Sequence, residues 1–61
     1  MKYTITESGD ERHPYALLDE TDTVVRVDTE PAKLSRWAFD NGADEVRHEY
    51  DGSRIVHAVF K

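Results

Sequence analysis

The chain has no cysteine, only three lysines and a single tryptophan in 61 residues, and no long apolar run. Without thiols there is neither a disulfide framework nor a cysteine-based zinc site, so packing, a partner or self-association must hold the fold. That is a demanding requirement, because a domain of about 60 residues buries only about 60% of the surface its unfolded chain exposes. Residues 1–20 contain nothing that resembles a signal peptide, and no stretch approaches the roughly 20 apolar residues of a membrane span. These absences lead us to expect a soluble, cytoplasmic chain (in the host cytoplasm if phage-encoded) with no membrane partner.

What the chain has instead is acid. Thirteen Asp and Glu residues face eight Lys and Arg, giving a net charge of −5 and an isoelectric point near 4.9. Such a balance opposes direct binding to phosphate backbones and favours basic protein partners. The bases Arg12, Arg26, Lys33, Arg36, Arg47 and Arg54 are dispersed, whereas the acids bunch. One group is Asp19, Glu20, Asp22, Asp28 and Glu30; the other is Asp40, Asp44, Glu45, Glu49 and Asp51.

The pattern predicts one domain, residues 1–61, without linkers or repeats. Residues 2–7 alternate with Tyr3 and Ile5 on one face, the period of a half-buried strand. Residues 15–18 and 24–28 read as two further strands joined by the polar turn at Asp19, Glu20, Thr21 and Asp22. Thr29 is placed as a helix N-cap, with Glu30 and Pro31 in the first turn. The helix is expected to run to about residue 41, where Gly42 supplies the left-handed stop. On that helix Pro31, Leu34, Trp37 and Ala38 form the apolar stripe, and Phe39 falls outside it. Residues 45–50 alternate again, and Asp51-Gly52 is a strong hairpin signal leading into a last strand over 54–60. A two-residue loop would set His48 opposite Ile55 and Val46 opposite His57, and would pair Glu49 with Arg54; a three-residue loop would reverse the faces. The expected fold is therefore α+β, in the order β-β-β-α-β-β, an antiparallel sheet with one helix packed across it.

No constellation in the sequence carries chemistry. His13, His48 and His57 lack companions at zinc-ligand spacing, so the expectation is a satisfied imidazole and a rim residue. Ser8, Ser35 and Ser53 sit in no nucleophile-elbow pattern. The acidic turn at Asp19, Glu20 and Asp22 lacks the central glycine and terminal glutamate of a calcium loop. We therefore expect no enzyme, no cofactor and no metal, and instead a protein-binding surface. Its contact residues would be Asp40, Asp44, Glu45, Glu49 and Asp51, then Asp19, Glu20 and Asp22. Carboxylates such as Glu45 and Glu49 on one strand face recur at multiples of roughly 6.8 Å, close to two steps of a nucleic-acid strand with a charge about every 3.4 Å. Arg47 interrupts that row.

With the helix Glu30-Pro31-Ala32-Lys33-Leu34-Ser35-Arg36-Trp37-Ala38-Phe39 set between strands and the carboxylates from Asp40 to Asp51, the chain resembles small acidic phage-encoded anti-CRISPR inhibitors. The resemblance spans the chain as architecture and charge and rests on no shared motif. It implies a non-catalytic inhibitor that occupies the basic nucleic-acid-binding site of a host effector, such as a CRISPR effector subunit, by DNA mimicry or steric occlusion. The competing expectation is a small self-associating structural protein, of a halophile or another microbe, acidic for solubility. Its homodimer would form through Phe39 or through the Val56, Ala58 and Phe60 face.

Overall fold

The computed structural model describes residues 1–50 and 56–60. Its elements are β1 (Lys2–Glu7), β2 (Tyr15–Leu18), β3 (Val24–Asp28), α1 (Pro31–Asp40), β4 (Glu45–Glu49) and β5 (Val56–Phe60). The α+β class and the element order are those the sequence pattern predicts. The sheet, however, is mixed rather than antiparallel, in the order β3-β2-β1-β4-β5. β1 and β4 are parallel, with Tyr3 opposite Val46 and Ile5 opposite His48, while every other pair is antiparallel. The reason is topological. Three strands in a meander leave β3 running with β1, and a helix that then crosses back over the sheet delivers β4 in that same direction.

Alternation in β1 sends Tyr3 and Ile5 beneath the helix, where they meet Leu17, Leu34, Ala38, Ala43 and Val46. Ile5, Leu17, Leu34 and Val46 are the largest side chains fully withdrawn from water. Each such burial contributes roughly 1.5–3 kcal/mol. Aromatic pairs close both ends of this core. Tyr3 meets Trp37 edge-on at 6.2 Å between centroids, and Tyr15 meets Tyr50 edge-on at 5.0 Å. Phe39, outside the apolar stripe of the helix, is half-buried and packs against the same cluster. On the opposite face Ala16 is buried although no helix covers it, because its short side chain lies between Thr6 and Val27 on the flanking strands.

The helix starts one residue later than its capping signal suggests. Glu30 is the N-cap, and its side chain makes no capping hydrogen bond. Asp28 organises the entry instead, its Oδ1 accepting the Glu30 amide at 3.0 Å and the Thr29 hydroxyl at 3.3 Å. Pro31 occupies the first turn, where its missing N–H costs nothing. At the other end Gly42 takes φ +96° and its amide donates to Phe39 O at 3.3 Å, the left-handed stop the sequence calls for.

The register of the last hairpin also differs from the two-residue expectation. His48 lies opposite His57, Val46 opposite Val59, and Glu49 opposite Val56 instead of Arg54. A displacement of two residues preserves the faces, so Val56, Ala58 and Phe60 hold register positions opposite Glu49, Arg47 and Glu45. The Asp51-Gly52 turn and Arg54 lie outside the described residues, as do the side chains of Val56, His57, Ala58 and Phe60.

Candidate functional site, an acidic end of the sheet

The mixed topology decides which carboxylates share a surface. β1, β3 and β4 begin at one end of the sheet, and β2 and α1 finish there. The β2–β3 turn, the helix C-terminus and the start of β4 therefore lie at the same end, which places Asp19, Glu20, Asp22, Asp40, Asp44 and Glu45 there. Two groups that are separate in sequence become one acidic end. Glu49 does not join it: it terminates β4 at the opposite end, where its Oε1 is 3.9 Å from the Arg47 guanidinium. The expected row along β4 is thus interrupted by charge as well as by distance. Asp51 lies outside the described residues.

The turn that carries three of these acids is internally bonded. Asp19 Oδ1 accepts the Thr21 amide at 2.8 Å, the Thr21 hydroxyl at 2.6 Å and the Thr23 amide at 3.1 Å. Those donors, the Thr21 hydroxyl foremost, hold the Asp19 carboxyl below its ordinary pKa. Asp22 adopts φ 63°, a left-handed conformation that aspartate tolerates better than most residues. With Asp19 folded into the turn, Glu20 and Asp22 remain exposed.

Asp44 is fixed differently. Its amide donates to Met1 O at 2.8 Å, and its Oδ2 accepts from the Met1 α-amino group at 2.7 Å. That hydrogen bond, assisted by the fields of Asp44 and Glu20, raises the pKa of the amino group. Glu45 stands opposite Lys2 in the parallel register. Asp40 occupies the last turn of α1, which holds no basic residue. An anion there opposes the helix dipole, whose negative pole points toward the same end. No salt bridge joins Glu20, Asp22, Asp40 or Glu45 to a basic side chain among the described residues.

The opposite end of the sheet is acidic too, and there Glu30 and Asp10 lie beside basic groups. Glu30 is 3.1 Å from the Lys33 ammonium, and Asp10 lies 3.8 Å from His13 Nδ1. The loop over residues 8–14 is closed by Ser8, whose hydroxyl donates to His13 O and accepts from the Asp10 amide. Beside it is an open cavity of about 310 Å³ lined by Glu7, Gly9, Asp10, Glu11, Pro14 and Tyr15. The imidazole of His48 is buried, with Nδ1 3.2 Å from the Tyr50 hydroxyl. Among the described residues no group of three or more His, Cys, Asp or Glu is arranged to hold a metal ion, and no helix is long and apolar enough to cross a membrane.

Sequence grouping missed the union of the β2–β3 turn with the helix end, because it depends on strand order. The signal that could have found it is the direction of β4, which a helical crossover from β3 determines. Protein-family models, curated proteins and solved structures all return no match to this chain, so the argument for function rests on its fold and its charge.

Proposed function

We propose that this protein is a non-catalytic inhibitor whose acidic end occupies a lysine- and arginine-rich nucleic-acid-binding site on another protein. A CRISPR effector subunit is a partner of that kind. The observation that carries this reading is the convergence of Asp19, Glu20, Asp22, Asp40, Asp44 and Glu45 on one end of the sheet. Like charges gathered at a helix C-terminus work against folding, and a basic partner would offset that cost. A cationic groove is such a partner, since it is already built to receive closely spaced anions. Charges of this kind mainly accelerate association and make it sensitive to salt.

The test is a triple reversal, Glu20→Lys, Asp40→Lys and Glu45→Lys, compared with the parent chain in capture from host lysate at low and high salt. The parent should recover a basic nucleic-acid-binding protein at low salt, a DNA oligonucleotide should compete, and the reversed chain should recover far less. Undiminished recovery by the reversed chain would sink the reading.

A second reading, self-association as a structural protein, has one observation in its favour: Val59 is 40% exposed on the edge strand β5. Light scattering over a dilution series separates the two. A concentration-dependent dimer favours self-association, and a monomer that still captures a basic protein favours inhibition.

A further inference from the structure

The other edge of the sheet has its own character. β3 is an outer strand, and Val24, Val25 and Val27 are 55%, 39% and 42% exposed. An edge strand presents backbone donors and acceptors to any extended chain that fits, and proteins commonly protect it with an outward lysine or arginine. Here the basic residue of the strand is engaged elsewhere: the Arg26 guanidinium lies over the Trp37 ring, 5.2 Å from its centroid. Acids flank the apolar stretch at both ends, Glu20 and Asp22 before it and Asp28 after it.

We propose that the β3 edge takes up, as an added strand, an extended segment of the basic partner, apolar at its centre and carrying lysine or arginine at both ends. The proposal rests on the reading of the partner as a basic protein and specifies how it is gripped. Backbone pairing would supply affinity, the valines would pack on alternate side chains, and the flanking acids would set the segment's length. A strand of five residues spans about 17 Å, which fixes the separation of the two basic ends.

Charge argues against a second copy as the occupant. Antiparallel β3–β3 pairing sets Asp22 of one copy near Asp28 of the other, and parallel pairing sets like acids side by side. The strand also carries a bulge. Leu17 lies opposite Arg26 and Leu18 opposite Val24, which leaves Val25 as the extra residue. A bulge bends and twists its strand and blunts the edge against another sheet, so it disfavours a rigid strand from a folded domain and leaves the place to a short pliable segment.

The probe is a short peptide, Lys-Arg-Val-Thr-Val-Thr-Val-Arg-Lys, titrated into isotope-labelled protein beside two relatives. One is N-methylated at alternate residues, and the other has glutamate at its ends. The basic peptide should shift and protect the amides of Val24–Asp28, N-methylation should weaken it at least about ten-fold through lost backbone hydrogen bonds, and the acid-ended peptide should not bind. Equal binding of the N-methylated peptide would overturn the proposal, as would protection of β3 by a dimer of the free chain. A Val27→Lys variant gives the check with the real partner. If it captures the basic protein undiminished while an Asp40→Lys, Glu45→Lys double reversal, which spares the Glu20 that both readings use, does not, edge pairing fails and the acidic-end reading stands. The opposite pattern sinks the acidic-end reading and leaves the edge.

Discussion

Arg26, on the outermost strand, stacks its guanidinium on Trp37 of the helix, 5.2 Å from the ring centroid. The contact ties β3 to α1 at the margin of the core, where the strand's valines contribute little burial. A cation over an indole at an exposed site is worth about 0.5–1 kcal/mol. Arg26→Ala is expected to lower the urea midpoint accordingly and to red-shift the emission of Trp37, the single tryptophan. Unchanged emission would mean that other groups shield the ring.

Asp40→Lys is expected to stabilise the fold. The last turn of α1 holds no basic residue, so the substitution turns an unfavourable dipole contact into a favourable one, worth about 0.3–1 kcal/mol. A higher thermal midpoint combined with weaker partner capture would separate the contribution of the acid to function from its cost to folding. A lower midpoint would contradict the account of the helix end.

Acid should loosen the β2–β3 turn. The pKa of Asp19 is depressed by its donors in the folded chain, so its stabilising contribution is complete above the unfolded carboxylate value, about pH 4, and is lost as pH falls through the folded value. Asp28 behaves in the same sense, mainly through the Glu30 amide. Asp19→Asn keeps an acceptor oxygen and removes the titration. Urea midpoints measured as a function of pH should therefore fall less steeply on the acid side for the variant, and equal slopes would assign the sensitivity to other groups.

Gly42→Ala isolates backbone strain. A Cβ added at this position meets nothing within 4 Å, yet φ is +96°. The cost should be about 1 kcal/mol, a thermal shift of roughly 4–8 °C for a domain of this size. No shift would show that the turn relaxes to another conformation.

Much of the fold was legible in the sequence because it is encoded locally. Alternation marked Tyr3, Ile5 and Val46 as inward, and Gly42 marked the end of the helix. Strand direction is not carried by residues 45–49 themselves; it follows from the helical crossover between β3 and β4, which the expectation of an antiparallel sheet did not use. The candidate site suffered most from this. Glu45 and Glu49 are a natural pair on one strand face, but the surface is built from strand ends, where Glu45 shares an end of the sheet with the turn of Glu20 and Asp22 and is parted from Glu49. The helix cap moved by one residue for a similar reason: Thr29 has the right chemistry, but Asp28 already holds the Glu30 amide.

β1 occupies the centre of the sheet although it comes first in the sequence, and in the hydrogen-bonded ladder it alone joins the β2–β3 hairpin to the β4–β5 hairpin. Its parallel neighbour β4 arrives only after the helix has been traversed. The core side chains Leu17 of β2 and Val46 of β4 lie on strands that flank β1, so neither hairpin holds the complete core until that distant pairing closes. The same arrangement couples its two outer edges: loosening the middle strand would release both hairpins together, and order is gained or lost across the whole molecule.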